Sequence, residues 1–426
     1  MLLSTLDPDA GLDDLEPLRE LVGGARVVGI GESAHNVREY QQVRHRLVRF
    51  LVERMGFTDV ALESGFSEGL AVGRWIAGAH STAHDDHDAA SDVHPDVAVE
   101  DRAGAADDVT DRGLTYGFGG TAETRRLIRW LREHHRTGRN VRFAGLDLPA
   151  QLGSLLPAID GVARYLAEAD PAAAQLVDRI RTYGKAWASP HTLVAFRAYQ
   201  AVPPADRDAL TILLSELATR MEAMRPLYAR RGAGDGFATA RHELRLAGLL
   251  DQMLRAQVAA VGGSGVHAAV NVRDAAMAAT ARHLLAGGGR LVISAANTHL
   301  QRIPISLGGT FEVPVAGGHL AGDLGDDYLS IAVTCGGGRT PTRRPAPGTE
   351  SGVEVLTVDL AEPVPGSLEA LLPHDGVRIT DLRPLRGTPE APRRFRNLDG
   401  YIELPAADAF DFAVLVPAIG ENPVIS

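Results

Sequence analysis

The stretch ARVVGIGESAHNVREYQQVRHRLVRF (25–50) passes without a break from an apolar run into a helical pattern. Residues 25–30 form the continuous apolar run expected of a strand buried on both faces. After the turn, Val37, Tyr40, Val43, Leu47, Val48, Phe50, Leu51 and Met55 fall on one stripe at about 100° per residue. Three further runs have the same buried-strand character: TDVALES (58–64), NVRFAGLDL (140–148) and RLVISAA (290–296). Helical patterns separate all four, which predicts an α/β fold, a three-layer α/β/α arrangement with a mostly parallel central sheet. Between the third and fourth runs, residues 152–285 carry Ala, Leu and Arg at helical spacing. They read as a long helical insertion covering a cleft, so that 1–151 and 286–426 together make the α/β core. After Pro304 the chain is rich in Gly and Pro, with strand-like runs such as YLSIAVT and FDFAVLVP that are expected to extend the sheet.

Composition narrows the function. With 426 residues, 45% of them hydrophobic, the chain can bury a sizeable core. A net charge of −11 argues against a nucleic-acid partner, which calls for a basic surface. The opening MLLSTLDPDAGLDDLE has no basic region followed by an apolar run, so it does not read as a secretory signal. No stretch reaches the roughly 18 apolar residues of a membrane span. Cys335 is the single cysteine, which excludes an intrachain disulfide. A cytoplasmic protein acting on a small molecule is the expectation, with no membrane partner; the oligomeric state is not legible.

Each strand-like run ends in groups suited to acid–base work: Glu32 and His35, then Glu63, then Asp147, then Asn297 and His299. Ligands of open parallel sheets bind outside the carboxyl ends of the strands, so these residues point to one site. Arg44 falls inside the apolar stripe of the first helix, while Arg38, His45 and Arg49 fall on the opposite face, where His45 should be exposed. A buried guanidinium needs a carboxylate, and Glu63, inside an apolar run, needs a cation; a Glu63–Arg44 pair would satisfy both. His35 is the candidate general base. Ser33 in GESAH faintly resembles a nucleophile elbow, but His35, two residues on in the same turn, is poorly placed to take its proton. His35, Glu32 and His299 offer no established metal-ligand spacing, so no metal and no cofactor are expected. The segment 80–112, with four His and many Asp, reads as a mobile solvated acidic loop rather than a metal site.

The residues 29–69, GIGESAHNVREYQQVRHRLVRFLVERMGFTDVALESGFSEG, resemble the signature of the erythromycin esterase family: G-E-x-x-H, an Arg nine residues after the His, then a strand Glu. FAGLDLP (143–149), VRDAAMA (272–278), NTHLQRIPI (297–305) and GDDYLSIAVT (325–334) match further, in order along the chain. The resemblance implies a deep cleft and metal-independent hydrolysis of a macrolide lactone, a natural-product chemistry that touches antibiotic resistance and biosynthesis. It places the general base on His35, with Glu32, Arg44 and Glu63 supporting it, and the family's Arg-Asp pair on Arg273 and Asp274, which with Asp147 are expected to bind substrate. One departure bears on the reaction. Where the macrolide esterases carry a motif like A-H-N-x-H, this chain reads SAANTH, so His299 is kept and Ala296 stands in place of the first His. That leaves two expectations on one scaffold: a hydrolase, or a tailoring enzyme catalysing dehydration, elimination or cyclisation.

Overall fold

The computed structural model describes residues 1–78, 103–263, 270–307 and 311–420. Seven strands form the central sheet: β1 (Val27–Ile30), β2 (Asp59–Gly65), β3 (Arg142–Asp147), β4 (Leu291–Ser294), β7 (Tyr328–Cys335), β10 (Arg378–Asp381) and β13 (Phe412–Val416). Their order is β10-β13-β7-β1-β4-β2-β3. Every pairing is parallel except that of β10 with β13. The four predicted strands are therefore present, and the runs YLSIAVT and FDFAVLVP do extend the sheet, as β7 and β13. Three two-stranded ribbons lie outside it: β5 (Ile305–Leu307) with β6 (Phe311–Val313), β8 (Arg339–Pro345) with β9 (Val353–Asp359), and β11 (Arg394–Asn397) with β12 (Gly400–Glu403).

Side-chain alternation assigns the layers. Val28 and Ile30 of β1 join one apolar cluster with Val43, Leu47 and Leu51 of the helix Arg38–Met55, whereas Val27 joins another with Met277 and Ala281 of the helix Val272–Leu285 and with Leu320. The sheet is thus covered on both faces, as its apolar strands require. Gly56 ends the helix Arg38–Met55 at φ 74°, a left-handed conformation that glycine adopts at no steric cost. His45 corrects the helical-wheel reading. Its far face is covered by the helix Ala122–Arg136, so the ring is buried 5.9 Å from that of Trp130. Burial and the nearby Arg49 push its pKa down to about 3.

Among the described residues six α-helices occupy most of Leu156–Leu285, and their apolar cluster, which includes Leu155, Trp187, Tyr199, Leu217 and Leu250, extends to Phe66 and to Ala144 of β3. The chain enters this region through Ala150, Gln151 and Leu152, whose φ values are 49°, 52° and 68°. Three successive non-glycine residues in the left-handed region cost about 1–2 kcal/mol each. The turn is held by Glu68, whose Oε1 accepts the Ala150 N–H at 2.7 Å, and by the Thr192 hydroxyl, which donates to the Gln151 carbonyl at 2.6 Å. Of the segment 80–112, only the part from Ala103 is described; there it is helix, Ala103–Gly113, and not loop. The four His of that segment lie outside the described residues. Among the described residues no helix is long and apolar enough to cross a membrane.

Candidate active site

The carboxyl ends of β1, β2, β3 and β4 bring together every candidate the sequence singled out. Past the end of β1 the chain turns in the sequence Gly31-Glu32-Ser33-Ala34-His35. A Cβ on Gly31 would lie 1.9 Å from the Asn297 Oδ1, so only glycine admits that side chain. Asn297 is not a reacting group. It is fully buried and bridges to β7, accepting from the Val333 N–H at 3.1 Å and donating to the Val333 carbonyl at 3.0 Å.

His35 projects from this turn with its ring 23% exposed. Its Nδ1 lies 2.8 Å from the Glu32 Oε1, which assigns the proton to Nδ1 and leaves the Nε2 lone pair free in the neutral ring. Nε2 is 3.7 Å from the Glu63 Oε1, and Phe118 meets the ring edge-on at 5.3 Å. Burial works against the charged ring, yet Glu63 and Glu32 outweigh it and hold the His35 pKa above the ordinary value.

The expected Glu63–Arg44 pair does not form. Arg44 lies behind Glu32, with Nη1 3.7 Å from its Oε2, and donates to the Ser294 and Thr124 hydroxyls at 3.4 and 3.3 Å. The reason is strand order: β4 lies between β1 and β2, so the first helix meets β4's Ser294 before it can reach β2. Glu63 takes Arg273 instead, whose Nη2 donates to its Oε1 at 2.8 Å, and its Oε2 accepts the Ala296 N–H at 2.7 Å. Glu63 falls where the β2–β3 register shifts between Leu62 and Gly65, an irregularity that re-aims side chains at a strand end.

Arg273 links the ends of β2 and β3. Its Nη2 and Nε donate to the fully buried Asp147 at 2.6 and 3.0 Å, and Nη2 also lies 3.1 Å from the Tyr116 hydroxyl. Its Nη1 carries no hydrogen bond among the described residues, on a side chain 21% exposed. His299 completes the cluster, its Nδ1 2.8 Å from the Asp274 Oδ1 and its Nε2 3.4 Å from the Glu63 Oε1. Burial opposes its charge, but Asp274 and Glu63 push its pKa up to about 10. Glu63 is itself held well below the usual carboxylate range: burial opposes its charge, and His299 and His35 prevail. Asp274 also accepts the Ala316 N–H at 2.9 Å, which fixes the orienting carboxylate in turn.

Tyr116 escaped the sequence reading: it donates to Asp147 at 2.9 Å and stacks under Arg273, with the guanidinium 5.4 Å from the ring centroid. Its one sequence signal was an aromatic between glycines in GLTYGFGG. Ser33 is buried against the Tyr40 hydroxyl at 2.8 Å and makes no hydrogen bond with His35. Among the described residues, no group of three or more His, Cys, Asp or Glu is arranged to hold a metal ion.

A family model described as erythromycin esterase matches residues 52–417. The chain is 29% identical over 412 residues to erythromycin esterase type II of Escherichia coli, a match covering 95% of this chain and 92% of that protein. It is 24% identical over 430 residues to erythromycin esterase type I of Escherichia coli, covering 97% and 96%. A crystallised erythromycin esterase mutant in its open conformation superposes with a TM-score of 0.79 at 22% identity, over 99% of this chain and 98% of that one, a likeness of fold.

Proposed function

The chain belongs to the erythromycin esterase family, and from that premise we propose that it is a hydrolase whose His35 activates water against a cyclic ester of a natural product, a macrolide lactone being the reference substrate. The observation that carries the reading is the His35 ring, oriented by Glu32 at Nδ1, with no hydrogen bond at Nε2 among the described residues and a side chain 23% exposed. In this reading Nε2 takes a proton from water as the water oxygen bonds to the ester carbonyl carbon. The carbonyl π pair moves onto its oxygen, and that oxyanion faces the free Nη1 of Arg273. Collapse re-forms the carbonyl and breaks the ester C–O bond, and the leaving alkoxide takes the proton back from His35. Glu32 and Glu63 stabilise the imidazolium between the two transfers, and the proton transfers by His35 are worth roughly 10²–10⁴-fold in rate. Arg44 acts through Glu32 and is a positioning residue; Asp147 and Asp274 do the same for Arg273 and His299. No metal or other cofactor has a part in it.

A second reading keeps His35 as the base and changes the reaction to dehydration, elimination or cyclisation by a tailoring enzyme. Ala296 favours it. The residue is partly exposed beside Glu63, presents only a methyl group, and contributes its backbone N–H to the Glu63 carboxylate rather than a ring to the substrate. Mass spectrometry after incubation with a macrolide lactone separates the two, because hydrolysis adds the mass of water and elimination removes it. A lactone left unchanged by the wild type and hydrolysed by Ala296→His would count for the second reading. Efficient hydrolysis by the wild type would sink it.

A further inference from the structure

Outside the cluster at the strand ends, a cavity of about 710 Å³ opens between the helical region and the β8–β9 ribbon. We propose that this cavity is the substrate-recognition subsite of the same active site, and that it is built for an apolar body carrying an oxyanionic group which Arg343 pairs. The inference rests on the reading of His35 as the working base and adds the class of substrate.

Four observations lead there. First, the cavity lies beside the site. Gln151, in its lining, is four residues beyond Asp147 and is held there by the left-handed turn. Arg343, also in the lining, is near enough to His35 for its charge to oppose protonation of that ring. Second, the lining contains no Asp or Glu, although the chain has 54 of them against 43 Lys and Arg. Third, Arg343 has no carboxylate partner among the described residues. The next residue, Arg344, is paired with Asp399, and the other basic group of the lining, His191, is 3.9 Å from Glu350. A guanidinium without a partner at the wall of an acid-free cavity is a ready fork for a carboxylate, phosphate or sulfate oxygen pair. Fourth, most of the remaining wall is apolar, with Gln151, Thr192, Gln257 and Ser351 as its neutral polar groups, and part of it is left uncovered: Val261 and Val355 are each 66% exposed, and Leu193 and Phe196 also line the cavity. Apolar walls with a few placed polar groups are the usual make-up of a small-molecule site.

The test reads binding, so it stands apart from whether any ester is hydrolysed. Titration calorimetry with octanoate and with octanamide compares one apolar chain with and without the charge. The wild type is expected to bind octanoate about tenfold more tightly than octanamide, the worth of one charge-assisted hydrogen-bonded pair. Arg343→Gln should remove that difference by weakening octanoate, and Phe196→Ala should weaken both ligands. Arg343 is exposed, and a melting curve of the variant verifies its fold. Equal affinity for the two ligands in the wild type overturns the proposal, as does a preference for octanoate that survives in Arg343→Gln. Absence of lactone hydrolysis beside an Arg343-dependent preference would instead count against the esterase reading alone.

Discussion

His35 and His299 follow two strands that are direct neighbours, β1 and β4, yet their surroundings prepare them for opposite duties. His35 has one close carboxylate, Glu32, and a more distant one, Glu63, on its other nitrogen. His299 has carboxylates on both nitrogens, at 2.8 and 3.4 Å. The second ring is held as a cation through neutral pH, with a pKa of about 10, and cannot accept a proton. The first can lose its proton and still be stabilised when it regains one. The number and distance of carboxylates around an imidazole, rather than its place at a strand end, decides whether it can serve as a base.

The largest expected effect breaks this comparison outright if it fails. His35→Ala should lower kcat on the true substrate by roughly 10²–10⁴-fold, while urea unfolding changes by less than about 1 kcal/mol. A variant with full turnover would remove His35 from the mechanism. Next in size is the anchor of the His299 side. Arg273→Leu leaves the buried Asp147 without its cation and Glu63 with only the imidazoles, at a cost of about 3–5 kcal/mol. Adding Glu63→Gln removes one of those two charges, so the double variant should lose less than the sum of the single ones. The coupling should exceed that of Glu63 with Arg44, and a denaturation cycle giving the reverse would restore the pairing expected from sequence.

A smaller effect sharpens the contrast through pH. The folded-state pKa of His299 is raised from 6.5 to about 10, so its contribution to stability is complete below pH 6.5 and is lost as pH rises through about 10. Unfolding free energy should therefore fall over that window by about 1 kcal/mol per pH unit, and His299→Gln should flatten the slope. Activity should move the other way at first. His35 must be unprotonated to act, so kcat/KM should rise with pH through a value above 6.5. A rate that falls across the same range would mean that the working form of His35 is the acid. The smallest effects concern groups outside the comparison. Ser33→Ala should keep kcat within about twofold and cost about 1 kcal/mol for its bond to Tyr40, and exhaustive chelation should leave the rate unchanged. Loss of turnover in either experiment would bring a nucleophile or a metal back into the scheme.

Much of this was legible in the sequence, because buried strands declare themselves by composition and the site lies where they end. The four runs, the helical region and the cluster of Glu32, His35, Glu63, Asp147 and His299 were all there to read. Partnership was not. Arg44 and Glu63 were paired because each is an isolated charge in an apolar setting, and nothing in one sequence says that β4, more than 220 residues after β2, lies between them. His45 was misplaced for a related reason: a helical wheel has one apolar stripe, but a helix packed between a sheet and a second helix is covered twice. Tyr116 has no periodic context, and only the folded chain brings its hydroxyl to Asp147.

The strand order also has a consequence in time. β2 and β3 are paired with each other, so that part of the sheet can assemble as soon as residue 147 has left the ribosome. β1 has as neighbours only β4 and β7, which begin at Leu291 and Tyr328. β1 therefore waits through more than 260 residues of translation before either edge is covered. During that wait an apolar strand with both edges free is open to pairing with another nascent chain. Closing so long a loop makes late insertion of β4 the expected slow step of folding. The turn that carries His35 acquires its Asn297 brace only at that moment, so the site is completed late, by the strand that leads into His299.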